Sequence, residues 1–361
     1  MPRHPSEDFC VAGVRYFSPH KGEVNCCAFS PACDIILTCS DDGSLYLWEA
    51  SSADLLAKAR GHTGPVRCCV FSKDGGFFAS ASHDCSVRVW RTPSRECVHV
   101  LTGLFLLSRA PCVRAGFSIH YSCAQGHRRS VETVSFSADG RRLASGGWDN
   151  KVFLWDAQSG EKERELLAHS AAVQSSAFST DSQCLATGSW DRSVRVWGLH
   201  GDEEVVTLEG HRGNVACLCF STVGLLASGS WDGTVRVWSV KSRTCVFVLE
   251  GSERVWVRCV AFSTDGLVLA STAEGDTVNI WDMVDGRCLK HLQGHKDSAY
   301  GCAFSPSGAL LTSGSEQLDL GDEADLCNQQ LEDEAQEHPP RRQKQVRWVK
   351  RDHSRTFQAQ P

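Results

Sequence analysis

The sequence predicts an all-β fold of radially arranged four-stranded sheets, a seven-bladed β-propeller, from its phenylalanine spacing, its strand patterning and the strand count per repeat. Phenylalanines recur every 42 residues from Phe29 to Phe71 and again through Phe136, Phe178, Phe220, Phe262 and Phe304, with one longer interval of 65 between Phe71 and Phe136. Between these landmarks, apolar and polar residues alternate with period two, as in Ser86-Val-Arg-Val-Trp90, which marks half-buried strands. Four short strands fit each unit: one ending at the Phe, one of the type Leu143-Ala-Ser145, one ending at a Trp, and one of the type Val205 to Leu208. A lone sheet of this size exposes two faces and its edges. Copies must therefore stack, and a radial array closes on itself.

The elements of each repeat follow in order. His20, His62, His127, His169, His211 and His295 open repeats, and a tryptophan follows the first four by 28 residues (Trp48, Trp90, Trp155, Trp197) and His211 by 27 (Trp238). Six residues before each of these tryptophans stands a turn aspartate: Asp42, Asp84, Asp149, Asp191 and Asp232. The sixth repeat ends at Trp281 but has Ser252 where the His belongs and Gly275 in the Asp place, with Asp276 one step late. The seventh is incomplete, because the expected Trp near position 323 is replaced by Leu-Asp-Leu-Gly-Asp-Glu-Ala-Asp.

Two stretches break the frame. Residues 104–126 add 23 to the period and are apolar (Leu104-Phe-Leu-Leu107, Phe117, Ile119, Tyr121), which suits a partner-binding arm; a retained intron is the competing reading, since deletion restores the period. Beyond residue 317 the tail carries eight acids in 318–340 and then seven basic residues and one acid in 341–361. Within it Gln345-Val-Arg-Trp-Val-Lys350 resembles Ser86-Val-Arg-Val-Trp-Arg91 and is a candidate replacement strand; a disordered charged tail is the plainer expectation. The expected division is thus an N-terminal arm (1–9), a propeller (10–317) and the tail (318–361).

Composition narrows the function. No stretch approaches the ~18 apolar residues that span a bilayer, and Met-Pro-Arg-His-Pro-Ser-Glu-Asp has no apolar signal region, so the expected location is cytoplasmic. Nuclear import through Arg341-Arg-Gln-Lys344 is a weaker alternative to a solvated charge run. The net charge of −6 gives no footprint for nucleic acid. Nineteen cysteines are an odd number without any Cys-x-x-Cys pair, so they read as small buried apolar residues rather than a disulfide framework or zinc site. No phosphate-binding, metalloprotease, nucleophile-elbow or calcium-loop motif occurs, so no catalytic residue, cofactor or metal is expected.

Gly-His openings, Trp155-Asp156 and Trp281-Asp282 endings (varied at Trp48-Glu49, Trp90-Arg91 and Trp197-Gly198) and the 42-residue period resemble WD40 repeats across most of the chain. The resemblance implies that His, turn Asp, a strand Ser or Thr and Trp form a buried hydrogen-bonded chain in each blade, absent from the sixth, and that an N-terminal strand (Cys10 to Phe17) joins the last blade to close the ring. It also implies partner binding at three positions per blade: just before the Asp, and four and six residues before the Phe. These give Asp41, His83, Trp148, Trp190, Trp231, Glu274 and Glu316; Asn25, Arg67, Glu132, Gln174, Ala216, Arg258 and Tyr300; and Glu23, Pro65, Ser130, Ala172, Asn214, Trp256 and Ser298. The expected contact set is therefore Trp148, Trp190, Trp231, Trp256, Tyr300, Arg67, Arg258 and His83, unless each Trp merely packs over its own turn.

The expected function is a non-enzymatic scaffold for a protein or peptide partner, a monomeric propeller within a larger complex. A ubiquitin-ligase substrate receptor is the alternative, although Trp155-Asp-Ala-Gln158 and Trp281-Asp-Met-Val284 lack the Trp-Asp-x-Arg of such receptors. A propeller enzyme with a channel site is a more distant one.

Overall fold

The computed structural model describes residues 9–16, 20–103, 126–167, 169–199, 205–251, 255–275, 277–292, 299–304, 310–317 and 343–351. Every element among them is a β-strand, and each sheet has four strands. Six blades are built from four consecutive strands each, spanning 24–60, 66–102, 131–166, 173–208, 215–250 and 257–292. The expected seventh blade is not such a local unit. Its sheet runs Ala299–Phe304, Leu310–Gln317, Gln343–Arg351 and Phe9–Tyr16 from the inside outward, so both ends of the chain contribute.

In this composite sheet Val349 lies opposite Leu311, where each regular blade places its tryptophan (Trp90 opposite Phe78), and Trp348 faces Thr312 one step away. Phe9–Tyr16 pairs with Gln343–Arg351, which separates it from Leu310–Gln317 in the strand order. The inner strand of this sheet packs against the inner strands of blades 6 and 1.

Burial explains why the repeats must stack. Leu37, Leu45 and Leu47 of blade 1 share one core cluster with Phe71, Phe78 and Trp90 of blade 2, and the same straddling recurs from blade to blade. Phe78 and Trp90 stack at 5.8 Å with 6° between their planes. Each such side chain contributes roughly 1.5–3 kcal/mol on burial, and only a neighbouring blade can supply the covering surface. The outer strands face solvent, as Leu55 and Val100 show.

A bulge shapes every inner strand. In blade 1 Val24 pairs with Ser40 and Cys26 with Cys39, which leaves Asn25 unmatched. The residues skipped in the same way are Arg67, Glu132, Gln174, Ala216, Arg258 and Tyr300. Two residues then oppose one, the strand bends, and the extra side chain is re-aimed.

Candidate protein-interaction face

The face is built on five aspartate turns. Asp84 Oδ1 accepts from the Ser86 amide at 3.0 Å and Oδ2 from the Thr63 amide at 3.0 Å, so one carboxylate ties the turn to the loop that opens the repeat. Asp42, Asp149, Asp191 and Asp232 do the same with Ser44 and Lys21, Lys151 and Arg128, Ser193 and Ser170, and Thr234 and Arg212. The residue after each Asp adopts a left-handed conformation, with φ of 74° at Gly43, 66° at Cys85, 64° at Asn150, 70° at Arg192 and 82° at Gly233. The bonds to the carboxylate hold even the non-glycine residues there, a conformation costing roughly 1–2 kcal/mol.

Behind each turn runs a buried polar chain. Trp155 Nε1 donates to Ser145 Oγ at 2.9 Å, Ser145 Oγ meets His127 Nε2 at 2.9 Å, and His127 Nδ1 meets Asp149 at 3.0 Å. Trp90, Ser80, His62 and Asp84 repeat it with 3.0, 2.7 and 2.9 Å, as do Trp197, Thr187, His169 and Asp191 with 2.9, 2.8 and 2.8 Å. Trp238, Ser228, His211 and Asp232 give 2.8, 2.8 and 2.9 Å, and Trp48, Thr38, His20 and Asp42 give 2.8, 2.7 and 3.4 Å. In blades 2 to 5, with Nδ1–H donated to the carboxylate, Nε2 is free to accept from the hydroxyl, so neutral imidazole satisfies the whole chain. Burial lowers the His62 proton affinity further. Burial opposes ionisation of Asp84, yet the bond from His62 holds its carboxyl well below the usual range.

Blade 6 keeps one link, Trp281 Nε1 to Ser271 Oγ at 2.8 Å. A cavity of about 150 Å³ lined by Ser271, Gly275, Thr277, Asn279 and Trp281 lies beside it. Ser252, Asp276 and His295 lie outside the described residues.

The first and third positions of each blade are joined by one backbone bond. Trp148 N donates to Ser130 O at 2.9 Å, Trp190 N to Ala172 O at 2.9 Å, Trp231 N to Asn214 O at 2.9 Å and Glu274 N to Trp256 O at 2.9 Å; His83 N and Asp41 N reach Pro65 O and Glu23 O. Together with the bulged residue, three side chains per blade are thereby collected at one rim.

Four tryptophans on blades 3 to 6 form a continuous arc there. Ring centroids lie 4.9 Å apart for Trp148 and Trp190, 5.3 Å for Trp190 and Trp231, and 4.4 Å for Trp231 and Trp256, the last pair parallel to within 7°. The Arg258 guanidinium sits 5.7 Å from the Trp231 centroid and 5.2 Å from that of Trp256, and pairs with Glu274 at 3.4 Å. Trp148 and Trp256 are 41% and 40% exposed. Trp148, Trp190 and Trp231 each contact the indole of the next blade. Trp190 Nε1 donates to the bulged Gln174 at 3.0 Å, whereas the buried Trp231 Nε1 has no acceptor among the described residues.

Arg67 and His83 lie away from this arc's centre. Arg67 bonds Asp41 at 3.2 Å and approaches the buried Glu132 at 3.9 Å, and with His83, Arg129, Ser130, Glu132 and Trp148 it lines a cavity of about 410 Å³. Trp148 therefore joins the cavity to the arc. Tyr300 lies on the inner strand Ala299–Phe304, but its side chain is outside the described residues, as are residues 104–125 of the insertion. The sequence reading missed Arg129; the Arg128-Arg129 pair beside a repeat-opening His was the available signal.

The model of the WD domain, G-beta repeat, matches residues 12–49, 53–91, 119–156, 160–198, 202–239, 243–282 and 286–318. The chain belongs to the WD40 family. Within it, the chain is 49% identical over 51 residues to WD repeat-containing protein 38 of Mus musculus and 42% identical over 59 residues to WD repeat and SOCS box-containing protein 1 of Homo sapiens. These stretches are 14% and 16% of this chain, and span only 17% and 14% of those relatives. A solved structure described as that of U3-55K superposes with a TM-score of 0.73 at 20% identity, covering 93% of this chain and 98% of that one, a likeness of fold alone. Among the described residues no helix is long and apolar enough to cross a membrane.

Proposed function

We propose that this WD40 propeller is a non-enzymatic interaction scaffold, its ring closed by the composite sheet as a seventh blade, and that it takes a protein or peptide partner on the face bearing the aspartate turns. The observation that carries this reading is the arc of Trp148, Trp190, Trp231 and Trp256 with Arg258 against its end. Aromatic side chains with an arginine, rigidly supported and partly exposed, have the composition of binding hot spots.

A triple variant, Trp148→Ala with Trp190→Ala and Trp231→Ala, tests the reading. Its fold is checked by circular dichroism, and its co-purifying proteins are quantified against wild type. Loss of a hot spot costs about 2 kcal/mol or more, so wild-type partners should fall at least tenfold. A folded triple variant that retains the complete partner set refutes the assignment.

A further inference from the structure

The inner strands of blades 1 and 2 carry Cys26, Cys27, Cys68 and Cys69, and Cys39 stands on the second strand of blade 1. Cys26 lies opposite Cys39 across the first strand pair of blade 1, and Cys68 and Cys69 follow each other on the inner strand of blade 2. Cys26 Sγ reaches the Cys69 carbonyl at 3.6 Å, and Cys69 Sγ reaches back to the Cys26 carbonyl at 3.7 Å. Cys69 Sγ also lies 3.9 Å from the Leu37 carbonyl, so it points into blade 1. Cys68 Sγ instead lies 3.6 Å from the Val134 carbonyl on the inner strand of blade 3, so the contacts across the blade 1–blade 2 seam are those of Cys26 and Cys69. Cys39 and Cys69 are buried, whereas Cys26 and Cys68 are partly exposed.

Two kinds of chemistry suit clustered thiols: holding a soft metal ion, or bonding to each other. No group of three or more His, Cys, Asp or Glu side chains among the described residues is arranged to hold a metal. Hydrogen bonds from Cys39, Cys68 and Cys69 draw the Cys26 thiol below its usual range against the effect of burial, while burial pushes Cys39 and Cys69 up. The thiolate is the nucleophile, and of the facing pair Cys26 is the partly exposed residue and Cys69 the buried one.

We propose that Cys26 and Cys69 are a hydroperoxide-oxidised thiol pair whose disulfide clips blade 1 to blade 2. The Cys26 thiolate attacks one peroxide oxygen, the O–O bond breaks, hydroxide leaves and takes up a proton, and Cys26 becomes the sulfenic acid. The Cys69 thiol then attacks that sulfur and loses its proton, the S–O bond breaks, and the oxygen departs as a second water. In sum, two thiols and one hydrogen peroxide give one disulfide and two waters. Bond formation requires rotation about χ1 to bring the two sulfurs to ~2 Å. Cys259 and Cys302 repeat the outline, with Cys259 Sγ 3.5 Å from the Cys302 carbonyl and Cys302 Sγ 3.9 Å from that of Ala270. Cys39 and Cys68 have no counterpart at that pair, where the matching places hold Thr272 and Gly301, so it reacts more slowly.

The full reduced chain is treated with one equivalent of hydrogen peroxide, alkylated, digested and mapped by mass spectrometry. Two of its 19 thiols should escape alkylation, and the first cross-link should join Cys26 to Cys69. Cys69→Ser and Cys26→Ser should each abolish that link, while Cys68→Ser retains it. Because a variant can fail to fold, the wild-type map stands on its own. A Cys26 that stays alkylatable while other cysteines oxidise, or a first link from Cys26 to Cys39 or Cys68, overturns the proposal.

Discussion

Replacing Ser145 by alanine puts the buried polar chain to a quantitative test. Ser145 is fully buried and its single oxygen serves two rings, accepting from Trp155 Nε1 at 2.9 Å and meeting His127 Nε2 at 2.9 Å. Alanine is nearly isosteric, so the loss is not a cavity effect. It leaves two buried nitrogens without a partner, each costing about 1–3 kcal/mol, and with some relaxation the sum is about 2–4 kcal/mol. Blade 6 supplies the internal control. Among the described residues Ser271 serves only Trp281, at 2.8 Å, so Ser271→Ala strands one group and costs about 1–2 kcal/mol. Urea unfolding of the two full-length variants, followed by circular dichroism at matching slopes, gives both values. Equal losses, or a larger loss at Ser271, refute the argument that unpaired ring nitrogens set the cost.

Trp256→Ala removes the stack on Trp231 at 4.4 Å and one face of the Arg258 contact, so stability should drop by only about 1–2 kcal/mol while partner recovery falls at least tenfold. Urea midpoints beside quantitative co-purification separate the two effects; a fall in stability without one in binding contradicts the arc as an anchor. Acidification should destabilise the fold in two stages. The folded-state proton affinity of His62 is lowered, so its contribution is present at neutral pH and declines as pH falls below the unfolded value of ~6.5. Those of Asp42, Asp84, Asp191 and Asp232 are lowered as well, so theirs is present above the unfolded value of ~4 and is lost as pH falls toward the folded one. Melting temperatures measured from pH 8 to pH 3 should fall monotonically, and a rise on acidification would reverse the sign of this linkage.

Much of the fold was legible because it is written in repeated offsets. The spacing from His62 to Trp90 recurs at His127 and Trp155, and the structure joins both pairs through a serine hydroxyl. What the period does not encode is registry between distant segments. The bulge that skips Arg67 and Arg258 exists only once two strands are paired. The stacking of Trp231 on Trp256 depends on the separation of neighbouring blades. Cys26 and Cys69 read correctly as small apolar positions, but their 43-residue offset carries them to opposite sides of one blade interface, which a strand-by-strand reading does not reveal. The third strand of the seventh repeat breaks the period because it lies beyond an excursion, at Gln343–Arg351, which includes the candidate strand Gln345 to Lys350.

That excursion bears on how the molecule is made. Six blades are contiguous in sequence, so their strands can pair as they leave the ribosome and each blade can pack on the one before it. The composite sheet cannot. Phe9 lies opposite Arg351, so the strand synthesised first waits for nearly the entire chain before it acquires a partner. On the proposed closure, the inner strands of blades 1 and 6 flank an open gap until then, and the nascent protein is an unsealed arc. Any transcript variant that removes Gln343–Arg351 would leave the chain permanently in that state, exposed to whatever strand or chaperone reaches the gap first.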